Sequence, residues 1–152
     1  MAEKAPQTPL RPERSVEFKC FNGKCFLEYC DDGLRFSPEY GNTLQTSFDR
    51  SCQSDGYNLI MSKKSTKYWK VYPNDNCPCI VRADADENDP EKDPFMLFMI
   101  ESHGDDLVSI RCKNNNYCHK KEDEPKKGYL VADAPTADNE AARMHMIKHS
   151  SA

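Results

Sequence analysis

Apolar and polar residues alternate with a period of two in many short runs of the chain, a pattern typical of half-buried β-strands. Three of these runs begin similar stretches of sequence: residues 16–20, 57–61 and 107–112. Each run is the first strand of its stretch, and a second predicted strand follows within a few residues. A polar turn and then an aromatic residue come after each run: Phe26, Tyr68 and Tyr117. The pattern therefore predicts a unit of strands that occurs three times along the chain.

Two further apolar runs complete each unit. The third predicted strand lies at residues 34–36, 79–83 and 128–132, and the fourth at residues 46–48, 95–100 and 143–147. Residues 132–142 also have the composition of a helix start. Because three four-stranded units close a small barrel and cap it, the predicted fold is all-β, a β-trefoil with pseudo-threefold repeats. A propeller needs more blades, and a sandwich gives no reason for a threefold repeat.

The length of 152 residues leaves room for one domain. Residues 1–14 contain three prolines and charges of both signs but no apolar stretch, so we interpret them as a disordered tail. Residues 15–149 then form a single domain. The tail lacks the apolar core of a secretory signal, which favours the cytosol and free thiols for the eight cysteines.

The charges of the chain are nearly balanced, with 21 Lys and Arg against 25 Asp and Glu. This balance argues against nucleic acid or a membrane surface as an electrostatically bound partner. The longest apolar runs, such as residues 95–100, are far shorter than the roughly 20 residues that a membrane-spanning helix needs. We therefore expect no membrane span.

The sequence contains no motif that predicts catalysis or a cofactor. Its four histidines lie in no recognisable nucleophile motif, and we do not expect an enzyme. Cys77 and Cys79 are one residue too close for the pair of a zinc knuckle. Residues 84–93 begin like a calcium loop, but Asp89 replaces the required glycine and Phe95 the closing glutamate. The sequence therefore predicts no metal and no cofactor.

Carbohydrate recognition uses short polar side chains that hydrogen-bond hydroxyl groups and an aromatic ring that packs on the apolar face of the sugar. Residues 68–76 contain both kinds of group, so we interpret them as a carbohydrate-binding site. The candidate residues are Tyr72, Asn74, Asp75 and Asn76, with Trp69 and Tyr68 nearby. Because Tyr68 and Trp69 are consecutive in a predicted strand, one of them must point inward.

The same region resembles the agglutinin domain of amaranthin-type plant lectins. The likeness is strongest in the second unit and extends into the first, at residues 57–62, 67–68, 72–74, 80–92, 95–98, 18–29 and 34–37. The resemblance implies a β-trefoil that binds glycans or glycoproteins without catalysis, typical of cytoplasmic and nuclear plant proteins tied to stress or defence. The ligand of that family is a galactosyl-N-acetylgalactosamine disaccharide, bound where two trefoils meet. Tyr72 and Asn74 match an aromatic residue and a sugar-contacting Asn of the family.

The chain departs from that family in two respects. Residues 76–79, Asn-Cys-Pro-Cys, replace further aromatic residues, and one domain is present where amaranthin has two in tandem. A composite site would therefore need a homodimer. Two alternatives stay open: a protein-binding trefoil, such as a protease inhibitor or partner-docking module that uses the loop at residues 84–94, and a domain that has kept the fold but lost sugar binding.

Overall fold

The computed structural model describes residues 15–53, 55–86 and 93–149. The predicted tail at residues 1–14 lies outside these ranges, as does much of the loop at residues 84–94. The described residues form the following strands: β1 (Ser15–Cys20), β2 (Leu27–Cys30), β3 (Gly33–Phe36), β4 (Phe48–Cys52), β5 (Asn58–Ser62), β6 (Tyr68–Tyr72), β7 (Ile80–Ala85), β8 (Phe98–Ser102), β9 (Leu107–Cys112), β10 (Tyr117–Lys120), β11 (Leu130–Ala134) and β12 (Met144–His149). Two short 3₁₀ helices, Pro94–Met96 and Glu140–Ala142, precede β8 and β12.

Most of the strands belong to one antiparallel sheet that closes on itself. Six strands make a continuous ring through the pairings β1–β4, β4–β5, β5–β8, β8–β9, β9–β12 and β12–β1. The remaining strands pair as three hairpins, β2–β3, β6–β7 and β10–β11. Each predicted unit thus supplies two ring strands and one hairpin. The fold is all-β with a closed barrel, which confirms the predicted fold class at that level.

The first strand of each unit has the same pattern of burial. β1 and β9 share one order of buried and half-buried positions, and β5 follows the same order when the residue before it is included. Cys20 and Cys112 occupy one equivalent position and both are buried. Glu17, Leu59 and Ser109 share another buried position, at which the first unit alone of the three places a carboxylate.

Aromatic side chains from the ring strands and from one hairpin meet in the core. Phe18, Phe48, Trp69 and Phe98 are all fully buried. The indole of Trp69 lies edge-on to Phe48 and Phe98, with ring centroids 5.3 and 5.7 Å apart. Edge-to-face contacts of this kind contribute about 0.5–1.5 kcal/mol each beyond the area that they bury. The cluster therefore ties the second hairpin to the barrel.

The start of the fourth strand differs from the prediction in the first two units. β4 overlaps the predicted strand at residues 46–48 by a single residue. β8 begins only at Phe98, because the residues before it form a 3₁₀ helix. Pro94 suits the first position of a helix, and Asp93 caps it by accepting a hydrogen bond from the backbone N–H of Phe95 (3.0 Å). In the third unit, the helix-like composition before the fourth strand corresponds to the Glu140–Ala142 helix.

Candidate functional site

The predicted carbohydrate-binding turn joins β6 to β7, and its polar side chains are not equally available. Asn74 and Asn76 are exposed. Asp75 instead accepts a hydrogen bond from the backbone N–H of Cys77 (3.0 Å) and forms an ion pair with Arg82. These contacts, the bond from Cys77 first, lower the pKa of the Asp75 carboxyl. Asp75 therefore shapes the turn, and its carboxylate is already engaged.

Tyr72, at the end of β6, is tied to charged neighbours in the same hairpin. Its hydroxyl donates a hydrogen bond to Asp84 (2.5 Å). Burial, and then the bond to Asp84, raise the pKa of Tyr72 well above its usual value, so the hydroxyl remains a donor. The guanidinium carbon of Arg82 and the ammonium of Lys70 lie 4.8 and 5.6 Å from the ring centroid. A sugar stacked on Tyr72 would have to compete with these two cations.

The two aromatic residues at the start of β6 pack into the protein. Trp69 is 0% exposed, so its assignment as a ligand-binding residue is wrong. It is the inward-pointing member of the pair, because its ring fills the space between Phe48 and Phe98. Tyr68 is half-buried against a small cluster that includes Leu59. The predicted turn therefore offers two exposed amides and an engaged tyrosine.

A pocket of about 380 Å³ lies in the third unit, beside the β10–β11 hairpin and the Glu140–Ala142 helix. We name it the His119 pocket. Its size falls within the usual range for small-molecule sites, roughly 300–1,000 Å³. Its lining combines an imidazole, a carboxylate, a hydroxyl and an amide with small apolar side chains: His119, Asp133, Thr136, Asn139, Ala134, Pro135, Ala141 and Ala142.

The polar groups of the His119 pocket are held in place but retain bonding capacity. An imidazole N–H of His119 donates from Nε2 to Oδ1 of Asp133 across the paired strands β10 and β11 (2.5 Å). The side chain of Asp133 is 51% exposed, so its carboxylate is accessible to a ligand. Oδ1 of Asn139 accepts a hydrogen bond from the backbone N–H of Ala141 (2.8 Å), which leaves the amide NH₂ as a donor.

The pocket exists because small residues replace large ones in the third unit. The helix of the second unit, Pro94–Met96, is equivalent to that of the third, because a side-chain oxygen caps each in the same way and a ring strand follows each. At the position of Phe95 the third unit has Ala141, and at the position of Met96 it has Ala142. Phe95 packs against the core, whereas the space beside Ala141 is open.

In the second unit the corresponding polar groups are used internally. The strand register places Lys70 and Asp84 at the positions of His119 and Asp133. Lys70 forms an ion pair with the carboxylate that caps the neighbouring 3₁₀ helix (3.1 Å), and Asp84 accepts the hydroxyl of Tyr72. The third unit has neither contact, because Asn139 replaces the capping carboxylate and His119 bonds instead to Asp133.

The aromatic residues that suggested a carbohydrate-binding site lie in the second unit, so the sequence did not predict this pocket in the third unit. A signal for the third unit was nevertheless present, since Ala-Asp-Ala occurs at residues 83–85 and again at residues 132–134. The two tripeptides occupy the same register in β7 and β11. A repeated carboxylate at one structural position, with different neighbours in each copy, indicates a place where the units have diverged.

A second, smaller pocket shares one lining residue, Ala141, with the His119 pocket. Its volume is about 150 Å³, and we name it the Lys120 pocket. Its lining includes two cations, two carboxylates and two buried residues: Lys120, Arg143, Glu122, Glu140, Cys20 and Phe36. Arg143 is held in place because its Nε donates a hydrogen bond to the carbonyl oxygen of Ala137 (2.7 Å).

Within residues 15–53, 55–86 and 93–149, no three His, Cys, Asp or Glu side chains cluster as they would around a metal ion. All eight cysteines lie in these ranges, and each is a free thiol. The part of the chain that the structure describes contains no helix with the length and apolar character needed to cross a membrane.

Comparisons with known proteins identify the fold. No protein-family profile matches the chain. No curated protein matches its sequence. Several solved structures are similar in fold, and three of them have a TM-score of 0.67 to 0.69.

The first of these is the crystal structure of ThreeFoil, a designed threefold-symmetric protein (TM-score 0.68, 10% identity, 88% of this chain and 97% of that chain). The second is a salivary protein from Culex quiquefasciatus of the Cysteine and Tryptophan-Rich family (TM-score 0.67, 12% identity, 91% and 95%). The third is Cry35Ab1 (TM-score 0.69, 12% identity), of which the match covers 91% of this chain but 36% of that chain. At such identities the likeness shows the fold alone. None of the three is an amaranthin-type agglutinin, so that resemblance stays a prediction.

Proposed function

We propose that this protein is a non-enzymatic, carbohydrate-binding β-trefoil whose ligand occupies the His119 pocket. The observation that carries the proposal is the lining of that pocket, which combines four kinds of polar group with small apolar side chains. Sites that bind small polar ligands combine an apolar floor with a few placed hydrogen-bonding groups. A sugar presents the complementary surface, with hydroxyl groups on its rim and C–H groups on one face.

The trefoil assignment rests on the strand pairings and on the likeness to a threefold-symmetric protein. A ring of six strands, with one hairpin attached to each pair of ring strands, has the connectivity expected of three four-stranded units. In such a fold the connections between strands form separate surface sites, and one unit can acquire a pocket while another fills it.

The chemistry of the pocket favours a neutral, hydroxyl-rich ligand. Asp133 accepts hydrogen bonds from sugar hydroxyls, and its bond from His119 holds it in position. The amide NH₂ of Asn139 and the hydroxyl of Thr136 supply further hydrogen bonds. The exposed carboxylate disfavours an anionic ligand at this position. A single shallow site of this kind binds weakly, so useful avidity requires several sites, as in the homodimer that the family resemblance implies.

The test is a glycan array probed with the wild-type protein and three variants. Ala141→Phe introduces the ring that the second unit carries at the equivalent position, so the fold should tolerate it while the pocket is filled. Asp133→Ala removes the acceptor. Both are expected to abolish the binding seen with wild type, and Asn74→Ala is expected to leave it unchanged. Binding lost in Asn74→Ala but kept in Ala141→Phe would move the site back to the predicted turn, and no binding by wild type would contradict the lectin proposal.

A second candidate function is protein binding, and the loop between β3 and β4 favours it. Tyr40 is 81% exposed and Leu44 is 58% exposed, although both belong to a loop that is held firmly. Glu17 holds it from within the barrel by accepting hydrogen bonds from the loop. A rigid loop with exposed apolar side chains suits a protein partner better than a sugar. The predicted inhibitor loop at residues 84–94 lies largely outside the described residues.

A panel of serine, cysteine and aspartic proteases separates the two functions. A lectin leaves every protease rate unchanged. Inhibition of one protease that is lost in Tyr40→Ala, but kept in Ala141→Phe, would replace the lectin proposal with an inhibitor that acts through the loop at Tyr40.

A further inference from the structure

We infer that the Lys120 pocket binds a small zwitterion, namely an α-amino acid with a short apolar side chain. This site does not depend on carbohydrate binding, because its charged residues are not those that line the His119 pocket. The positions of its two cations, the balance of its charges and its volume each point to this class of ligand.

The two cations of the Lys120 pocket stand at positions that the second unit uses for buried apolar side chains. The strand register makes Lys120 in β10 equivalent to Val71 in β6. Arg143 directly follows the Glu140–Ala142 helix, as Leu97 follows the helix of the second unit. Val71 is 0% exposed and Leu97 is 2% exposed, whereas both cations are half-buried. Charged side chains at positions suited to buried apolar ones weaken a fold, and departures of this kind are expected at functional sites.

The charged groups of this lining are available to a ligand. The two cations and two carboxylates form no ion pair, either with each other or with any other residue that the structure describes. Arg143 donates from Nε to the carbonyl oxygen of Ala137 (2.7 Å), which orients the guanidinium and leaves its terminal nitrogens as donors. The pocket therefore offers positively charged donors and negatively charged acceptors side by side.

The balance of these charges selects the charge of the ligand. An anion would face two glutamates, and a cation would face a lysine and an arginine. An uncharged ligand would displace water from four charged groups without supplying a charged partner to any of them, which costs free energy. A zwitterion satisfies both kinds of group, because its carboxylate accepts hydrogen bonds from the cations and its ammonium donates to the glutamates.

The volume and the apolar part of the lining set the size of the ligand. The pocket measures about 150 Å³, and a cavity of about that volume in a protein holds a molecule the size of benzene. Small amino acids such as alanine, valine and proline are of similar size. Cys20 and Phe36, which are both buried, line the pocket together with the methyl group of Ala141. These side chains provide an apolar surface for a short aliphatic side chain.

The experiment titrates isotope-labelled protein with L-valine and with two derivatives that each lack one charge. L-Valinamide has no carboxylate, and N-acetyl-L-valine has no ammonium. NMR chemical shifts measure the binding and also locate it. We expect L-valine to shift the backbone amide signals of Asn22, Glu122 and Ala141, which line the pocket. L-Valine should bind about tenfold more tightly than either derivative, because each derivative loses charge-assisted hydrogen bonds.

Two variants test the charges one at a time. Lys120→Val introduces the side chain that the second unit carries at the equivalent position, so the fold should tolerate it. Glu140→Gln keeps the shape of an exposed side chain but removes its charge. We expect each variant to weaken L-valine binding about tenfold, with no fall in the urea concentration at which half of the protein is unfolded. Lys127→Val removes a lysine from an exposed position outside the pocket and should leave the binding unchanged.

Each other outcome would overturn the inference in a recognisable way. If N-acetyl-L-valine binds as tightly as L-valine, the ligand is an anion, and if L-valinamide does so, the ligand is a cation. Unchanged L-valine binding in Lys120→Val, or shifts confined to residues elsewhere, would exclude this pocket. The absence of any shift with L-valine at millimolar concentration would show that the pocket holds no amino acid. None of these results bears on the His119 pocket, which the glycan array tests separately.

Discussion

Nε2 of His149, in the last strand, donates a hydrogen bond to Oε1 of Glu17 in the first strand, at 2.6 Å, although Glu17 is only 2% exposed. The other oxygen of Glu17 accepts from the backbone N–H of Asn42 (2.5 Å) and from the hydroxyl of Thr46. A buried carboxylate is stable only when its oxygens are engaged in this way. Glu17 therefore joins the two ends of the described chain to the loop between β3 and β4.

Replacing Glu17 tests the stability of this arrangement. Glu17→Ala leaves the N–H of Asn42, the buried hydroxyl of Thr46 and the imidazole of His149 without this acceptor, so we expect the free energy of unfolding to fall by about 3 kcal/mol. Urea denaturation measures the change. Glu28→Ala removes a carboxylate whose partner, Arg35, is partly exposed, and should cost less than about 1 kcal/mol. Equal losses in the two variants would mean that Glu17 is an ordinary surface acid.

His145 gives the stability of the protein a dependence on pH. Both of its ring nitrogens face acceptors: Nδ1 lies 2.8 Å from Asp106 and Nε2 lies 3.0 Å from the carbonyl oxygen of Phe21. The bond to Asp106 is the main cause that raises the pKa of His145 above its ordinary value of 6.5. Because the folded-state pKa is the higher one, the stabilisation is complete below pH 6.5 and is lost as the pH rises through the folded-state pKa.

We therefore expect His145→Gln to destabilise the protein more at about pH 5 than at about pH 9, as measured by urea denaturation at both values. Asp106→Asn should show the same dependence, since it removes the partner that holds the proton. A constant difference between wild type and His145→Gln across this range would show that the imidazole contributes packing alone.

Trp69 is the single tryptophan of the chain, and its fluorescence reports on the core. Because the indole is fully buried, its emission should be blue-shifted and should not change when a glycan binds. Its indole N–H has no hydrogen-bond partner among the described residues, so Trp69→Phe loses packing but no hydrogen bond. We expect Trp69→Phe to be milder than Trp69→Ala, which should cost about 3–5 kcal/mol. A shift of the emission when a glycan is added would show that Trp69 belongs to the binding site, as the sequence predicts.

The cysteines should differ widely in reactivity. Burial raises the pKa of the Cys112 thiol to about 11 and raises the pKa of the Cys118 thiol well above its usual value, whereas Cys52 is exposed. The thiolate is the reactive form, so a thiol reagent at neutral pH should label Cys52 first and these two buried residues only after unfolding. Mass spectrometry of peptides from briefly labelled protein measures the order. Rapid labelling of Cys118 in native protein would contradict its placement in the core.

The period-two pattern predicts the strands well, because burial on one face of a strand leaves its mark on every second residue. It also predicts that one of Tyr68 and Trp69 points inward. It does not decide which, because that depends on the space between Phe48 and Phe98, which distant segments supply.

The His119 pocket was beyond such reasoning for a different reason. It depends on a side chain that is small, Ala141, at a position where the equivalent residue is large. A binding site is predicted from sequence by the functional groups of its residues, and the side chain of alanine has none. The pocket can be inferred only by comparing two units of the structure, in which Ala141 and Phe95 occupy equivalent positions.

β1 and β12 pair antiparallel along their whole length, so that Ser15 lies opposite His149. A pull on these two residues would load the hydrogen bonds of the pair one after another, as in opening a zipper, and would separate them at low force. The same adjacency makes residues 15–149 a cassette that a surface loop of a host protein could accept without stretching. A short linker between Ser15 and His149 would likewise permit a circular permutant with new ends at a hairpin turn.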